Sequence, residues 1–365
     1  MDKHNTRKKK NQEFLEKQNL VKKKNQELLG YINGHVSETT LERITGCNNR
    51  MGFVADKEKI KNKQVAGESC KNPFCPICSC RKARKDALAI ATCMKYIENE
   101  YKKTFVFLHL TAPNVTGDKL IDEVTRFNKA FKKMFERKDI ETINKGYIRK
   151  LEITYNEKPI ITQEMWDGNP EKKKKPMFEY FQRLGLMIGD PNPNYDTYHA
   201  HFHVVIAVNQ SYFTDRTYIN QEKWLSMWRE AMSVPEITQV RVERIKENGG
   251  KEIQEIAKYS AKSSDYLVSQ EVFGVFYKAL DRRQKITYSG LFAEANKLFK
   301  AKKLDKYKEI DQTEYIWLLL YSWGAQKYIE TECRELTEVE KARYSGKLVD
   351  EIEIEVLSLI EGISQ

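Results

Sequence analysis

The stretch His199-Ala200-His201-Phe202-His203-Val204-Val205-Ile206-Ala207-Val208 constrains this 365-residue chain more than any other. Side chains alternate faces along a β-strand, so residues two apart share a side at a spacing of about 6.5–7 Å. His199, His201 and His203 then fall on one face with Val205 and Ala207. Phe202, Val204, Ile206 and Val208 make an unbroken apolar stripe on the other. The stripe predicts a sheet with helices packed under it, and the histidine face predicts a site. Three of the six histidines in the chain stand on that face. Two imidazoles at this separation can converge on one divalent ion. A hard cation that acts on phosphate also wants a carboxylate oxygen. Glu152, in the strand candidate Tyr147–Tyr155, alternates with Leu151, Ile153 and Tyr155 and is the candidate, although an ordinary exposed strand glutamate has the same spacing.

The seven cysteines are the second constraint, because five of them (Cys47, Cys70, Cys75, Cys78 and Cys80) fall within one short stretch. In a reducing compartment such clustering points to metal rather than to disulfides. Cys75-Pro76-Ile77-Cys78 is a C-x-x-C knuckle, and Cys70 and Cys47 can supply the other pair, with Cys80 able to replace one of them. Four thiolates suit tetrahedral Zn²⁺ in a closed structural site. Arg81, Lys82, Arg84 and Lys85 follow at once on a predicted helix, Arg81–Tyr101, and suggest that the module also grips DNA.

Lys and Arg outnumber Asp and Glu by 63 to 52, a formal net charge of +11. A balance of this size favours a polyanionic partner, most commonly nucleic acid. Residues 1–30 are dominated by Lys and Arg, nine against four acids, and read either as a solvated arm or as a non-specific phosphate grip. No apolar run is long enough for a transmembrane helix, and the start lacks the apolar centre of a signal peptide, so a cytoplasmic protein without membrane contact is expected. Further strand candidates are Thr104–Thr111 and Thr238–Arg244. Helical spacing marks Lys119–Phe135, Gln221–Met232 and Glu252–Val268, and the tail from about residue 270 reads as mostly helical, at Ile316–Tyr321 and then Leu336–Leu359. The whole is compatible with an α+β sheet covered by helices.

Within the predicted helix Glu252–Val268, Glu255, Tyr259 and Lys262 share one face by i,i+4 and i,i+3 spacing. A tyrosine oxygen can attack a polarised phosphodiester, a carboxylate can serve as base, and an ammonium can hold phosphate. With 19 tyrosines in the chain such a trio also arises by chance.

Taken together, HAHFHVVIAV followed by EIAKYSAK resembles the HUH endonucleases of the replication-initiator kind. More closely, the chain is similar to the initiators of rolling-circle plasmids from Gram-positive bacteria. CKNPFCPICSCRKARKDAL and KLEITYN fit that pattern in the same order, so the resemblance spans roughly residues 45–270. It implies an antiparallel HUH nuclease core with His201 and His203 as the metal-binding pair and Glu152 completing the shell around Mg²⁺ or Mn²⁺. It further implies Tyr259 as the nucleophile that forms a 5′-phosphotyrosine and frees a 3′-OH, Glu255 as the base for termination, and Lys262 as the lysine of a Y-x-x-K pattern. His199 is an additional histidine able to compete for the metal, and Tyr266 is a rival nucleophile. The implied organisation is a basic arm (1–30), a zinc module (31–85), the endonuclease domain (86–270) and a helical C-terminal region (271–365). Implied partners are origin DNA as hairpin or single strand, a host helicase and a DNA polymerase; the oligomeric state, a dimer among the options, is left open. Alternatives are a zinc-containing DNA-binding regulator without catalysis, or an HUH relaxase or transposase.

Overall fold

The computed structural model describes residues 3–170, 176–246, 250–257 and 260–349. In chain order, α1 (Lys3–Ile32) and α2 (Glu38–Gly46) lead into β1 (Arg50–Ala55) and β2 (Asn62–Gly67). Then come α3 (Pro76–Tyr101), β3 (Lys103–Thr111), α4 (Leu120–Phe135), α5 (Lys138–Ile143) and β4 (Tyr147–Asn156). Two short helices, α6 (Gln163–Asp167) and α7 (Phe178–Arg183), precede β5 (Thr197–Asn209), α8 (Gln221–Met232) and β6 (Arg241–Arg244). The remainder is α9 (Gly250–Ala257), α10 (Ser263–Tyr266), α11 (Gln270–Leu280), β7 (Ile286–Tyr288), α12 (Leu291–Lys300), β8 (Trp317–Gly324), β9 (Lys327–Glu335) and α13 (Glu338–Tyr344). The fold is α+β with two antiparallel sheets, each the centre of its own compact unit.

One unit, Lys103–Glu252 with Ser260–Ser289, carries the five-stranded sheet β6-β3-β5-β4-β7. The histidine strand is its central member, β5, hydrogen-bonded antiparallel to β3 and β4. Alternation holds as expected: Phe202 meets Phe127 and Phe131 of α4 edge-on, at ring-centroid distances of 5.4 and 5.6 Å. Helix α4 buries Leu120, Val124, Phe127, Phe131 and Met134, the i,i+3/i+4 stripe of an amphipathic helix. Phe127 in turn packs on Trp228 of α8, which buries Trp224, Met227, Trp228 and Met232. The opposite face of β5 is not open, since Ala200–Val208 are buried without interruption. A central strand flanked on both sides loses both faces to the interior.

The Arg149 guanidinium stacks on the rings of both Phe131 and Phe202, 4.5 Å from each centroid, so Phe202 anchors charge as well as volume. Phe202→Ala is therefore expected to destabilise the protein by about 3–5 kcal/mol, with Phe202→Leu costing under about 1.5 kcal/mol, read from urea midpoints at constant slope.

The other unit joins the described residues up to Lys102 with the end of α9 and the chain from Gly290 onward. Its sheet runs β2-β1-β8-β9, all antiparallel. Here two expectations are corrected. The C-terminal region is helical only in part, because Trp317–Glu335, which takes in all but Ile316 of the segment read as a helix at Ile316–Tyr321, is the β8–β9 hairpin completing a sheet begun near the N-terminus. The reading of the basic N-terminal segment as a solvated arm fails from Phe14 onward, where Phe14 packs edge-on against Phe53 of β1 at 4.9 Å and α1 buries Lys22, Asn25, Leu28 and Ile32. No described helix is long and apolar enough to cross a membrane.

Candidate functional site

Strand register assembles the histidine centre. In the β3–β5 pairing His109 lies opposite His203, and in the β4–β5 pairing Glu152 lies opposite His201. His109, His201 and His203 each direct a ring nitrogen into one space, with the three atoms within 4.8 Å of one another. Their rings stand 4.8–5.0 Å apart between centroids. Glu152 sits in the same cluster, its Oε2 accepting from His203 Nε2 at 2.9 Å and lying 3.4 Å from His201 Nε2. His201, His203 and Glu152 are all buried.

Sequence reasoning missed His109. Its signal was a lone histidine at an alternate position of an apolar strand, which has meaning only once β3 is placed beside β5. His199, by contrast, is outside the triad: its Nε2 hydrogen-bonds Thr111 Oγ1, which removes that nitrogen from competition for a cation. The backbone of Thr111 is itself fixed, its carbonyl accepting from Trp228 Nε1 at 2.7 Å.

Burial, reinforced by the neighbouring imidazoles, pushes His109 down to about 2, so it is a neutral ring with lone pairs to offer. Burial also lowers His199, to about 4. For Glu152 burial pushes upward, but the hydrogen bonds from His201 and His203 outweigh it and hold the carboxyl well below the usual range. An anionic carboxylate beside the neutral His109 ring and the imidazoles of His201 and His203 in a buried space is a donor set for a divalent cation. Among the described residues the buried His109 Nε2 and His201 Nδ1 have no hydrogen-bond partner, which fits the same reading.

The tyrosine region departs from the single predicted helix. Helix α9 (Gly250–Ala257) carries the half-buried Glu255, and the chain is no longer helical where it is next described, at Ser260. Lys262 is exposed and extended (φ −79°, ψ 148°), acting as the N-cap of α10 with Asp265 accepting from its backbone N–H at 3.2 Å. Glu255 and Lys262 therefore do not share one helical face. Serines and an aspartate compete for backbone hydrogen bonds and restart the helix here. Tyr259 lies outside the described residues. Ser260, which follows it in sequence, accepts at its carbonyl from Ile153 N at 2.7 Å, one residue from Glu152 on β4. The rival Tyr266 is buried, its ring between Phe273 and Phe276 at 6.1 Å from each. A phenol locked in an aromatic core is poorly placed for attack on DNA.

Burial raises Asp265 from 3.8 to about 6. A folded-state value above the unfolded one means that this group's stabilising contribution is full below 3.8 and is lost as pH rises through about 6. Asp265→Asn is expected to remove that slope, worth on the order of 1–2 kcal/mol, and Tm measured from pH 4 to 8 checks it.

In the other unit, Cys47, Cys70, Cys75 and Cys78 form a buried cluster with all four sulfurs within 4.8 Å and no disulfide. Cys78 Sγ is 3.5 Å from both Cys47 and Cys70, and Cys75 Sγ is 3.7 Å from Cys47. Tetrahedral Zn²⁺ with bonds of about 2.3 Å places its sulfurs about 3.8 Å apart, so these spacings fit such an ion. Hydrogen bonding among the sulfurs, with Cys47 the strongest partner, holds Cys78 well below the ordinary thiol value and pushes Cys75 well above it. Four sulfurs this close do not ionise together without a cation. Cys80 is not part of the group. Of the basic row on α3, Arg81 is half-buried and holds Glu68 O at 2.9 Å and Asn48 Oδ1, whereas Lys82, Arg84 and Lys85 are exposed, Lys82 pairing with Asp86 at 2.8 Å.

No solved structure matches the chain. A "Protein rep" of Staphylococcus aureus is 43% identical over 271 residues, covering 74% of this chain and 96% of the relative. Proteins of the same description from Streptococcus pneumoniae and Bacillus amyloliquefaciens are 27% and 28% identical, covering 71% and 70% of this chain and 72% of each relative. The replication-protein family profile matches residues 61–329, a span that takes in both the cysteine cluster beyond Cys47 and the whole histidine centre, and the chain belongs to that family.

Proposed function

We propose that this protein initiates rolling-circle replication as an HUH endonuclease, nicking one strand of origin DNA through Tyr259. The observation that carries the proposal is the convergence of His109, His201, His203 and Glu152 on one buried space in a replication-family chain. These side chains are the candidate holders of Mg²⁺ or Mn²⁺. A divalent cation bound there supplies positive charge to a scissile phosphate.

The Tyr259 oxygen attacks phosphorus, a bond forms between them, and the P–O3′ bond breaks. The departing O3′ takes up a proton to become the 3′-OH primer, while the 5′-phosphate stays on the tyrosine. The new phosphodiester retains the energy of the old one, so rejoining by a later 3′-OH needs no ATP. Glu255 is assigned the role of base for water or for that second transfer, and Lys262, exposed beside the Ser260 tether, that of a phosphate contact. The four cysteines are assigned structural Zn²⁺, and Lys82, Arg84 and Lys85 DNA contacts. Helicase and polymerase enter this scheme through the primer that the nick exposes.

The test is conversion of supercoiled origin plasmid to open circles with Mn²⁺, with Mg²⁺ and with EDTA. Nicking of one strand in either metal and none in EDTA is expected. Cleavage of equal rate in EDTA would remove the histidine centre from the reaction, and origin binding without cleavage would favour the zinc-containing regulator.

A further inference from the structure

Helix α1 reaches the cysteine cluster with two polar side chains that are both fully buried, Lys22 and Asn25. Asn25 Nδ2 donates to Cys75 Sγ at 3.4 Å. Lys22 Nζ donates to Cys47 O at 2.7 Å, to Thr45 O at 3.1 Å and to Asn25 Oδ1 at 3.3 Å. Three acceptors around one nitrogen call for three N–H groups, which an ammonium has and a neutral amine lacks. All three acceptors are uncharged, and the groups whose negative charge acts on the ammonium are the sulfurs of Cys47 and Cys75 foremost, then Glu68 and Cys70. Burying an ammonium costs several kcal/mol unless an opposite charge compensates it. Four thiolates around one divalent ion carry a net charge of −2, and that charge lies next to Lys22.

We infer that Lys22 and Asn25 are the outer partners of the four-cysteine metal centre, so that metal occupancy and the docking of α1 depend on each other. The ammonium offsets the excess thiolate charge, and the amide hydrogen bond draws charge off the Cys75 sulfur. Hydrogen-bonded partners of metal ligands tune affinity strongly, by about 10–100-fold when removed. By linkage, whatever the bound metal contributes to α1, α1 contributes to the metal. The basic N-terminal helix becomes an element clamped by the metal site, rather than a tail that happens to be positively charged.

The inference rests on the reading of the four cysteines as a Zn²⁺ site. Full-length protein is loaded with Zn²⁺ and titrated with a chelator of known affinity, comparing wild type with Lys22→Met, Lys22→Arg and Asn25→Ala. Zinc affinity is expected to fall about 10–100-fold in Lys22→Met, to recover in part in Lys22→Arg, and to fall several-fold in Asn25→Ala. In parallel, hydrogen exchange of wild type is followed before and after zinc removal. Residues 21–32 are expected to lose protection on removal, while the β3–β5 pair keeps its own. A merely structural lysine predicts the reverse for Lys22→Met, because an apolar side chain of similar length would leave zinc affinity unchanged. Unchanged affinity, or α1 protection that survives zinc removal, overturns the inference. Should Lys22→Met not fold, Asn25→Ala and the wild-type exchange experiment decide it. A wild-type chain that takes up no Zn²⁺ fails at the earlier step, and the titration separates the two failures.

Discussion

Tyr259→Phe is expected to reduce strand cleavage by at least about 10³-fold and to eliminate protein joined covalently to DNA. The substitution removes one oxygen and leaves the ring, so origin binding should stay within a few-fold of wild type. Tyr266→Phe is the matched control. Tyr266 is buried against Phe273 and Phe276, so its change should alter stability modestly and cleavage little. A Tyr266→Phe protein that binds DNA, is folded and does not cleave would contradict the assignment. Gel shifts and an adduct assay on the same single-stranded origin oligonucleotide read both effects.

The second large effect separates the histidines. His203→Ala and His109→Ala should each weaken Mn²⁺ binding and lower cleavage by about 10²–10³-fold, since each removes a ring directed into the shared space. His199→Ala should leave Mn²⁺ affinity within about threefold, because its Nε2 is engaged by Thr111 and it stands outside the triad. Calorimetric titration with Mn²⁺ reads the affinities apart from any chemistry. Equal losses in all three variants would mean that His199 also serves the ion. Loss in His199→Ala alone would require a different ligand set.

How much of this was written locally in the chain differs from element to element. The histidine strand was legible because period-two alternation is a local signal, and the β5 limits fall within a residue or two of those expected. Helix α8 was legible for the same reason at period 3.6, with its limits as expected. His109 was not, because its partners come from the antiparallel pairing of β3 with β5, which no window of sequence contains. The β8–β9 hairpin was hidden twice over. Leu318, Leu319, Leu320 and Tyr321 are buried on both faces, so no alternation marks a strand. Its turn places Ala325 and Gln326 at φ +48° and +63°, left-handed positions where Asn-Gly or Asp-Gly would have announced a hairpin. The packing of α1 was hidden because its buried stripe includes Lys22 and Asn25, polar residues that hydrogen-bond Cys47 O and Cys75 Sγ instead of joining an apolar core. The new helix start at Lys262 did have a local signal, Asp265 placed to accept from the Lys262 N–H, but the i,i+4 spacing of Glu255 and Tyr259 outweighed it.

The cysteine cluster shows the opposite balance. Three of its members are close in sequence, and metal-ligand spacing is itself a local code. Cys47 was a candidate too, and what the fold decides is that it, not Cys80, completes the set, its sulfur lying 3.5 Å from Cys78.

The central claim is tested most directly by identifying the residue that carries the DNA. A short single-stranded origin oligonucleotide is cleaved with Mn²⁺, the adduct is digested with nuclease and trypsin, and the modified peptide is sequenced by mass spectrometry. Lys258 and Lys262 flank the residue of interest, so trypsin releases Tyr259-Ser260-Ala261-Lys262 separately from the peptide Ser263–Lys278 that holds Tyr266 and Tyr277. The nucleotide is expected on Tyr259. Its appearance on the Ser263–Lys278 peptide, or cleavage with no peptide modified, would contradict the account.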